Sequence, residues 1–112
     1  IEAGAELEAK SIDGNSPLFI AAAYNNNPEV TSILIKEGCQ LESKYGDGFT
    51  PLMAAVIAGR IESVSELVAA GANIEARDDI PGYNCTPLMG AASFVDSPEM
   101  IRFLINAGAD VE

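Results

Sequence analysis

The 112-residue chain contains no histidine, no tryptophan and only two cysteines, Cys39 and Cys85. Without histidine there can be no Ser-His-Asp or Cys-His catalytic arrangement and no histidine-based metal site. Two cysteines are too few for a disulfide scaffold, and we expect both side chains to remain reduced thiols. No glycine-rich phosphate loop precedes a helix. The sequence therefore predicts a protein that is not an enzyme and that holds no cofactor or metal.

Basic residues and long apolar runs are also scarce. Six Lys and Arg residues stand against 17 Asp and Glu residues, giving a formal net charge of −11. This balance argues against nucleic acid and anionic membrane as partners, because both need a positive face, and it favours a basic protein partner. No apolar run approaches the ~18 residues that span a bilayer. The first ten residues lack the pattern of a signal peptide, and we expect a cytoplasmic location.

The chain instead spells nearly the same tetrapeptide three times, as SPLF at 16–19 and as TPLM at 50–53 and 86–89. Each copy opens with a hydroxyl residue that can cap a helix N-terminus, followed by Pro at the first helical position. A short Ala-rich helix, a turn and a second apolar helix follow in the same order. The second helix closes with a glycine that can take a positive φ as a C-cap, at Gly38, Gly71 and Gly108.

This recurring order of T-P-L, A-A, G, L-L and G-A-D-V resembles the ankyrin repeat family, and the resemblance covers essentially the whole chain. It implies an all-α repeat solenoid of stacked helix-turn-helix repeats with β-hairpin fingers. The expected boundaries are the tail of a preceding repeat at 1–10, then repeats at 11–44, 45–77 and 78–112, the last one truncated. The turn NNNPE is similar to those of bacterial members. Because neither end carries a polar cap, we expect a monomeric segment of a longer array.

The chain departs from the family pattern in two ways that bear on its surface. Apolar residues stand where the family has histidine, and we expect apolar packing to replace the polar link there, at Phe19, Met53 and Met89. The finger between repeats two and three is longer, because Gly71 lies 16 positions before Pro87, against 13 positions at the other two junctions. The added residues lie within 77–85. We expect the acidic pair Asp78 and Asp79 in this segment to be solvated.

The resemblance implies a binding surface on the concave side, formed by the fingers and the first helix of each repeat. Four of the seven aromatic residues fall at positions exposed there, and exposed aromatic clusters commonly mark interaction surfaces. The residues that we expect to contact a protein partner are Ile12, Asp13, Asn15, Tyr24, Asp47, Phe49, Ile57, Ile80, Tyr83 and Phe94.

Two further expectations concern the same surface. Acidic residues along its edge would form a negative rim, at Asp13, Asp47, Asp78 and Asp79. For the aromatic residues, the alternative to partner binding is a structural role, in which Tyr24 and Phe94 pack against the neighbouring finger and Tyr83 steadies the long loop.

The leading functional hypothesis is a protein–protein interaction module that uses this surface. Two alternatives stay open. The net charge suggests an acidic inhibitor or immunity-type protein that occludes a basic enzyme. The uncapped ends suggest a targeting or spacer arm within a multidomain protein.

Overall fold

The computed structural model describes residues 16–46 and 48–111. Four of the expected contact residues lie outside these ranges, namely Ile12, Asp13, Asn15 and Asp47. Within them the chain forms six α-helices: α1 (Pro17–Tyr24), α2 (Pro28–Lys36), α3 (Pro51–Ile57), α4 (Ile61–Ala69), α5 (Pro87–Phe94) and α6 (Pro98–Asn106). We refer to α1, α3 and α5 as the first helices and to α2, α4 and α6 as the second helices.

The first helices begin where the repeated tetrapeptide predicts. The side-chain oxygens of Ser16, Thr50 and Thr86 each accept a hydrogen bond from the backbone N–H three residues later, all at 3.3 Å. The following proline occupies the first helical turn, where its missing N–H leaves no bond unmade. Asn27 and Ser97 cap α2 and α6 by accepting from the backbone N–H groups two and three residues later, respectively. The start of every helix except α4 is therefore fixed by a local cap.

The second helices end as predicted at glycines in the left-handed region. Gly38, Gly71 and Gly108 have φ values of 100°, 101° and 105°. In each case the next residue donates its backbone N–H to a carbonyl five positions earlier, at 3.0 to 3.2 Å, as in a Schellman motif. A residue with a Cβ would be strained at this conformation. These glycines therefore turn the chain from the second helix into the finger.

The helices stack in two rows. Helix α3 packs between α1 and α5, each first helix packs on its own second helix, and α2 packs on α4. Small residues four positions after each proline are buried, which lets the first helices approach closely, at Ala21, Ala55 and Ala91. Large apolar side chains fill the space between the two rows, chiefly Leu18, Leu52, Val56, Val64, Leu67, Met100 and Leu104.

Apolar packing replaces the family's histidine at two of the three positions. Phe19 and Met53 are buried, as expected. Met89 is 38% exposed, so the expectation is wrong there. The reason is that, in the described ranges, α5 packs against α3 and α6 and no further helix covers its other side.

Paired strands in the fingers are not confirmed. The described residues contain one isolated antiparallel bridge, between Tyr45 and Phe49, and no longer strand. The N–H of Tyr45 donates to the carbonyl of Phe49 at 2.9 Å, and the N–H of Phe49 donates back at 3.0 Å. Gly48 closes this turn with a φ of 89°, and a Cβ there would lie 2.7 Å from the backbone nitrogen of Asp79. The two fingers thus approach too closely at this point for any side chain.

Glutamates at equivalent repeat positions join each finger to the next. Oε2 of Glu42 accepts a hydrogen bond from the N–H of Asn73 at 2.7 Å. Oε2 of Glu75 accepts from the N–H of Asp110, also at 2.7 Å. Because each bond links a carboxylate to the backbone of the following repeat, the two glutamates help to set the spacing of the stack.

A second connection between repeats lies at the turns between the helices. Nε of Arg60 donates to the carbonyl of Ala23, near the C-terminus of α1, at 2.9 Å. Its Nη1 donates to Oδ1 of Asn26. Arg60 therefore donates to one of the carbonyls that a helix end leaves without an intrahelical partner.

Candidate protein-binding surface

The side of the stack formed by first helices and fingers is apolar. The first helices contain no charged residue. The acidic side chains within helices all lie on the second helices and are exposed, at Glu29, Glu62, Glu66 and Glu99. The acidic residues of the helices are thus confined to the second helices.

One recess on this side, which we call the main cleft, has a volume of about 470 Å³. It lies between α3, α5 and the long finger, and it is open to solvent along one side. A cleft of this size is in the range that holds small ligands or several side chains of a partner. Its walls are Phe49, Met53, Val56, Ile57, Asp78, Ile80, Tyr83, Cys85, Thr86, Pro87, Gly90, Ser93 and Phe94.

A shallower recess, the minor cleft, lies between α1, α3 and the shorter finger and has a volume of about 270 Å³. Phe49 and Ile57 line both clefts, so the two adjoin. Within the minor cleft the rings of Phe19 and Tyr45 pack with their centroids 5.1 Å apart at an interplanar angle of 55°. We call the main and minor clefts together the groove. The other residues of the minor cleft are Ala23, Tyr24, Ala54 and Ala58.

The long finger is organised by Asp78, and here the expectation of a solvated acidic pair is wrong. Asp78 is only 4% exposed. Its Oδ1 accepts hydrogen bonds from the N–H groups of Ile80 and Cys85, both at 3.1 Å. Its own N–H donates to the carbonyl of Cys85 at 2.9 Å. Asp78 is therefore a wall of the main cleft and not part of an acidic rim.

Its neighbour Asp79 is exposed and is paired with a cation. The Nζ of Lys44 lies 3.6 Å from Oδ1 of Asp79 and donates to the carbonyl of Arg77 at 3.4 Å. Arg77 in turn donates from Nη1 to the carbonyl of Asn84 at 2.9 Å. Asn84 has a φ of 51°, so the finger contains a non-glycine residue in the left-handed region. Lys44 thus ties the start of the long finger to the shorter one, and Arg77 ties the two ends of the long finger to each other.

The six expected contact residues that the structure describes all line the groove. Tyr24, Phe49 and Ile57 line the minor cleft, and Phe49 and Ile57 continue into the main cleft with Ile80, Tyr83 and Phe94. Tyr24, Tyr83 and Phe94 are 67%, 71% and 74% exposed. This exposure favours a binding role over the structural alternative, in which Tyr24 and Phe94 pack against the neighbouring finger.

Several groove residues were missing from the expected set. Met53, Val56 and Tyr45 line the groove, although the repeat pattern identifies the first two only as helix residues. Gly90 also lines the main cleft, where a Cβ would lie 3.3 Å from Cδ1 of Ile57. For Asp78 the sequence did contain a signal, because an Asp side chain that begins a turn commonly accepts from the N–H two residues later.

Residues 16–46 and 48–111 show neither a metal-binding cluster nor a helix that could cross a membrane. No cluster of three or more His, Cys, Asp or Glu side chains there could hold a metal ion. Among the six helices described, none has the length and apolar character needed to cross a membrane.

Several known proteins are similar in sequence to this chain over most or part of its length. The ZDHHC13 protein of Danio rerio is 34% identical over 102 residues, which are 90% of this chain and 15% of that protein. The Transient receptor potential cation channel subfamily A member 1 homolog of Caenorhabditis elegans is 31% identical over 99 residues, or 88% of this chain and 8% of that protein. Protein fem-1 homolog C of Homo sapiens is 50% identical over 38 residues, or 34% of this chain and 6% of that protein. The chain thus spans 15% or less of the length of these relatives.

The model of a repeat family matches the chain from end to end. The matching model is described as ankyrin repeats in three copies, and it matches residues 1–78 and 47–112. The capped helix pairs, the terminal glycines and the two-row stacking agree with this match. The chain therefore belongs to the ankyrin repeat family.

Proposed function

We propose that this chain is a non-enzymatic interaction module that binds a protein partner in the groove. Ankyrin repeats are in general protein–protein interaction modules. The observation that carries the proposal is the exposure of Tyr24, Tyr83 and Phe94 around one apolar surface. Clustered exposed aromatic rings are costly to keep in water and are typical of the residues that dominate binding energy at interfaces.

The shape of the groove suits a segment of polypeptide. The main cleft can take large side chains, and the adjoining minor cleft offers a second, shallower contact. Both are formed largely by helix residues with no charge, so apolar contacts supply most of the buried area. The partner would therefore insert one or two large side chains into the main cleft and lie across Phe49 and Ile57.

A targeting or spacer arm is a second candidate function. The relatives contain the matched repeats as 15% or less of a longer protein, and this proportion supports an arm that positions other parts of a protein. A targeting arm is compatible with the first proposal, because it would act by binding a protein partner. An acidic inhibitor and a cytoplasmic location both stay predictions, and the exposed acids of the helices lie on the second helices rather than in the groove.

The proposal is tested by quantitative affinity capture with three versions of the chain. The groove variant carries Tyr24→Ala, Tyr83→Ala and Phe94→Ala, all at exposed rings whose loss should leave the fold intact. The control variant carries Ile33→Ala, Ile105→Ala and Val111→Ala, which are exposed apolar residues outside the groove. We expect proteins captured by the wild type to be retained by the control variant and lost by the groove variant. Equal recovery on all three versions would refute the proposal.

A further inference from the structure

The main cleft contains one carboxylate among apolar and aromatic walls. Among the residues that the structure describes, Asp78 is the only Asp or Glu that lines it, and no Lys or Arg does. Three aromatic rings surround the same space, those of Phe49, Tyr83 and Phe94. A nearly buried acid in such surroundings is unusual, because burying a charge without a partner costs free energy.

Half of the hydrogen-bonding capacity of Asp78 is used within the finger. Oδ1 accepts from the N–H groups of Ile80 and Cys85. Oδ2 has no hydrogen-bond partner among the described residues. The two cations of the finger region are engaged elsewhere, Lys44 with Asp79 and Arg77 with Asn84. Among the described residues, the Asp78 carboxylate at the wall of the cleft therefore has one oxygen that no donor engages and no cation paired with it.

We propose that the main cleft binds an arginine side chain of the protein partner, with its guanidinium at Asp78 and its aliphatic stem along the apolar wall. Arginine fits for two reasons. It is always charged, and its planar head stacks on aromatic faces while donating hydrogen bonds to a carboxylate. Lysine matches only the charge, because its compact ammonium is more strongly hydrated and does not stack. This inference rests on the proposed function and specifies the chemistry of the partner.

The charge of the whole protein supports a cationic occupant. A net charge of −11 raises the local concentration of cationic segments around the stack and speeds their association. The first helices that line the cleft carry no Lys or Arg that would oppose entry. The long-range attraction by the net charge and the contact with Asp78 thus both favour a cationic side chain.

The inference is tested by titrating the 112-residue chain with four acetylated, amidated tripeptides, Ala-X-Ala, where X is arginine, lysine, citrulline or leucine. Citrulline has the shape of arginine without its charge, so comparing these two peptides isolates the contribution of the positive charge to binding. Binding is followed by the NMR chemical shifts of the backbone N–H groups of Ile80 and Cys85. Both groups donate hydrogen bonds to Oδ1 of Asp78. We expect the arginine peptide to bind at least about tenfold more tightly than the citrulline and leucine peptides, and more tightly than the lysine peptide.

The matched variant is Asp78→Asn, which keeps an oxygen acceptor for the finger and removes the negative charge. We expect it to bind the arginine and citrulline peptides equally. If this variant fails to fold, Phe94→Ala provides the second test, because its ring is exposed and its loss should weaken arginine binding several-fold. Citrulline or lysine binding as tight as arginine binding in the wild type would overturn the inference.

The two proposals fail in different ways. If no tripeptide prefers the main cleft while the groove variant still loses its captured partner, the interaction surface stands and the arginine assignment falls. If the groove variant keeps its partner, the proposed function falls whatever the tripeptides show.

Discussion

Asp78 and Cys85 close the long finger through a reciprocal pair of hydrogen bonds. The N–H of Asp78 donates to the carbonyl of Cys85 at 2.9 Å, and the N–H of Cys85 donates to Oδ1 of Asp78 at 3.1 Å. The same oxygen accepts from the N–H of Ile80 within the turn. Because this finger forms one wall of the main cleft, a single carboxylate both shapes the finger and supplies the acid of the candidate site.

Replacing Asp78 with alanine should destabilise the protein markedly. The N–H groups of Ile80 and Cys85 would lose their acceptor, and we expect the free energy of unfolding in urea to fall by about 2 kcal/mol. Asp79→Ala is the matched control, since it removes only an exposed ion pair with Lys44, and such pairs contribute about 0–1 kcal/mol. An equal loss for the two variants would contradict the role assigned to Asp78.

The glutamates that link successive fingers should contribute to stability through the stacking of repeats. Glu42→Ala and Glu75→Ala each remove an acceptor of a 2.7 Å bond from the next repeat, and we expect each to lower the free energy of unfolding by about 1 kcal/mol. Glu66→Ala, at an exposed position on α4, should change it by less than about 0.5 kcal/mol. Chemical denaturation of the three variants checks this ordering, and a loss no larger than that of Glu66→Ala would disprove it.

Thr31 offers a substitution that should be harmless or stabilising. Its side chain is fully buried, and its Oγ1 has no hydrogen-bond partner in the described part of the chain. Thr31→Val keeps the shape and removes an unpaired polar atom, so we expect stability to stay equal or to rise by about 1 kcal/mol. Thr31→Ala is the control. It also removes a buried methyl group and should lower the stability. A thermal melt in which the valine variant unfolds well below the wild type would show that the hydroxyl is satisfied after all.

Arg60 should contribute more to the stability of the fold than its position in a turn suggests. It bonds the carbonyl of Ala23 and the side chain of Asn26, both in the preceding repeat. We expect Arg60→Ala to reduce the free energy of unfolding by about 1–2 kcal/mol, because it leaves a partly buried carbonyl without a donor. Arg102→Ala, at an exposed site on α6, is the control and should be near neutral. Indistinguishable urea midpoints for the two arginine variants would count against this link.

The sequence predicted the features of the fold that depend on local chemistry. The N-caps Ser16, Thr50 and Thr86 and the terminal glycines lie where their positions in the repeat required, because a cap or a positive φ is decided by one or two neighbouring residues. The burial of Phe19 and Met53 was also predicted, whereas the exposure of Met89 depends on what covers α5.

The candidate site was predictable only in outline. Alignment of the repeats selects positions such as Tyr24 and Phe94, because every repeat presents the same positions on the same side. It does not distinguish Asp78 from Asp79, two adjacent residues of the same kind. Which of the two is buried depends on how the added residues of the finger close onto Cys85, and that closure involves contacts outside the repeat pattern.

The most direct test of the account is the dissociation constant of a captured partner for the wild type, the groove variant and the control variant, measured by titration calorimetry. We predict at least about a tenfold weaker affinity for the groove variant, a loss of about 1.4 kcal/mol or more, and less than about a threefold change for the control variant. Circular dichroism establishes that all three are equally helical. If the groove variant binds as tightly as the wild type, or the control variant loses affinity instead, the partner does not bind in the groove.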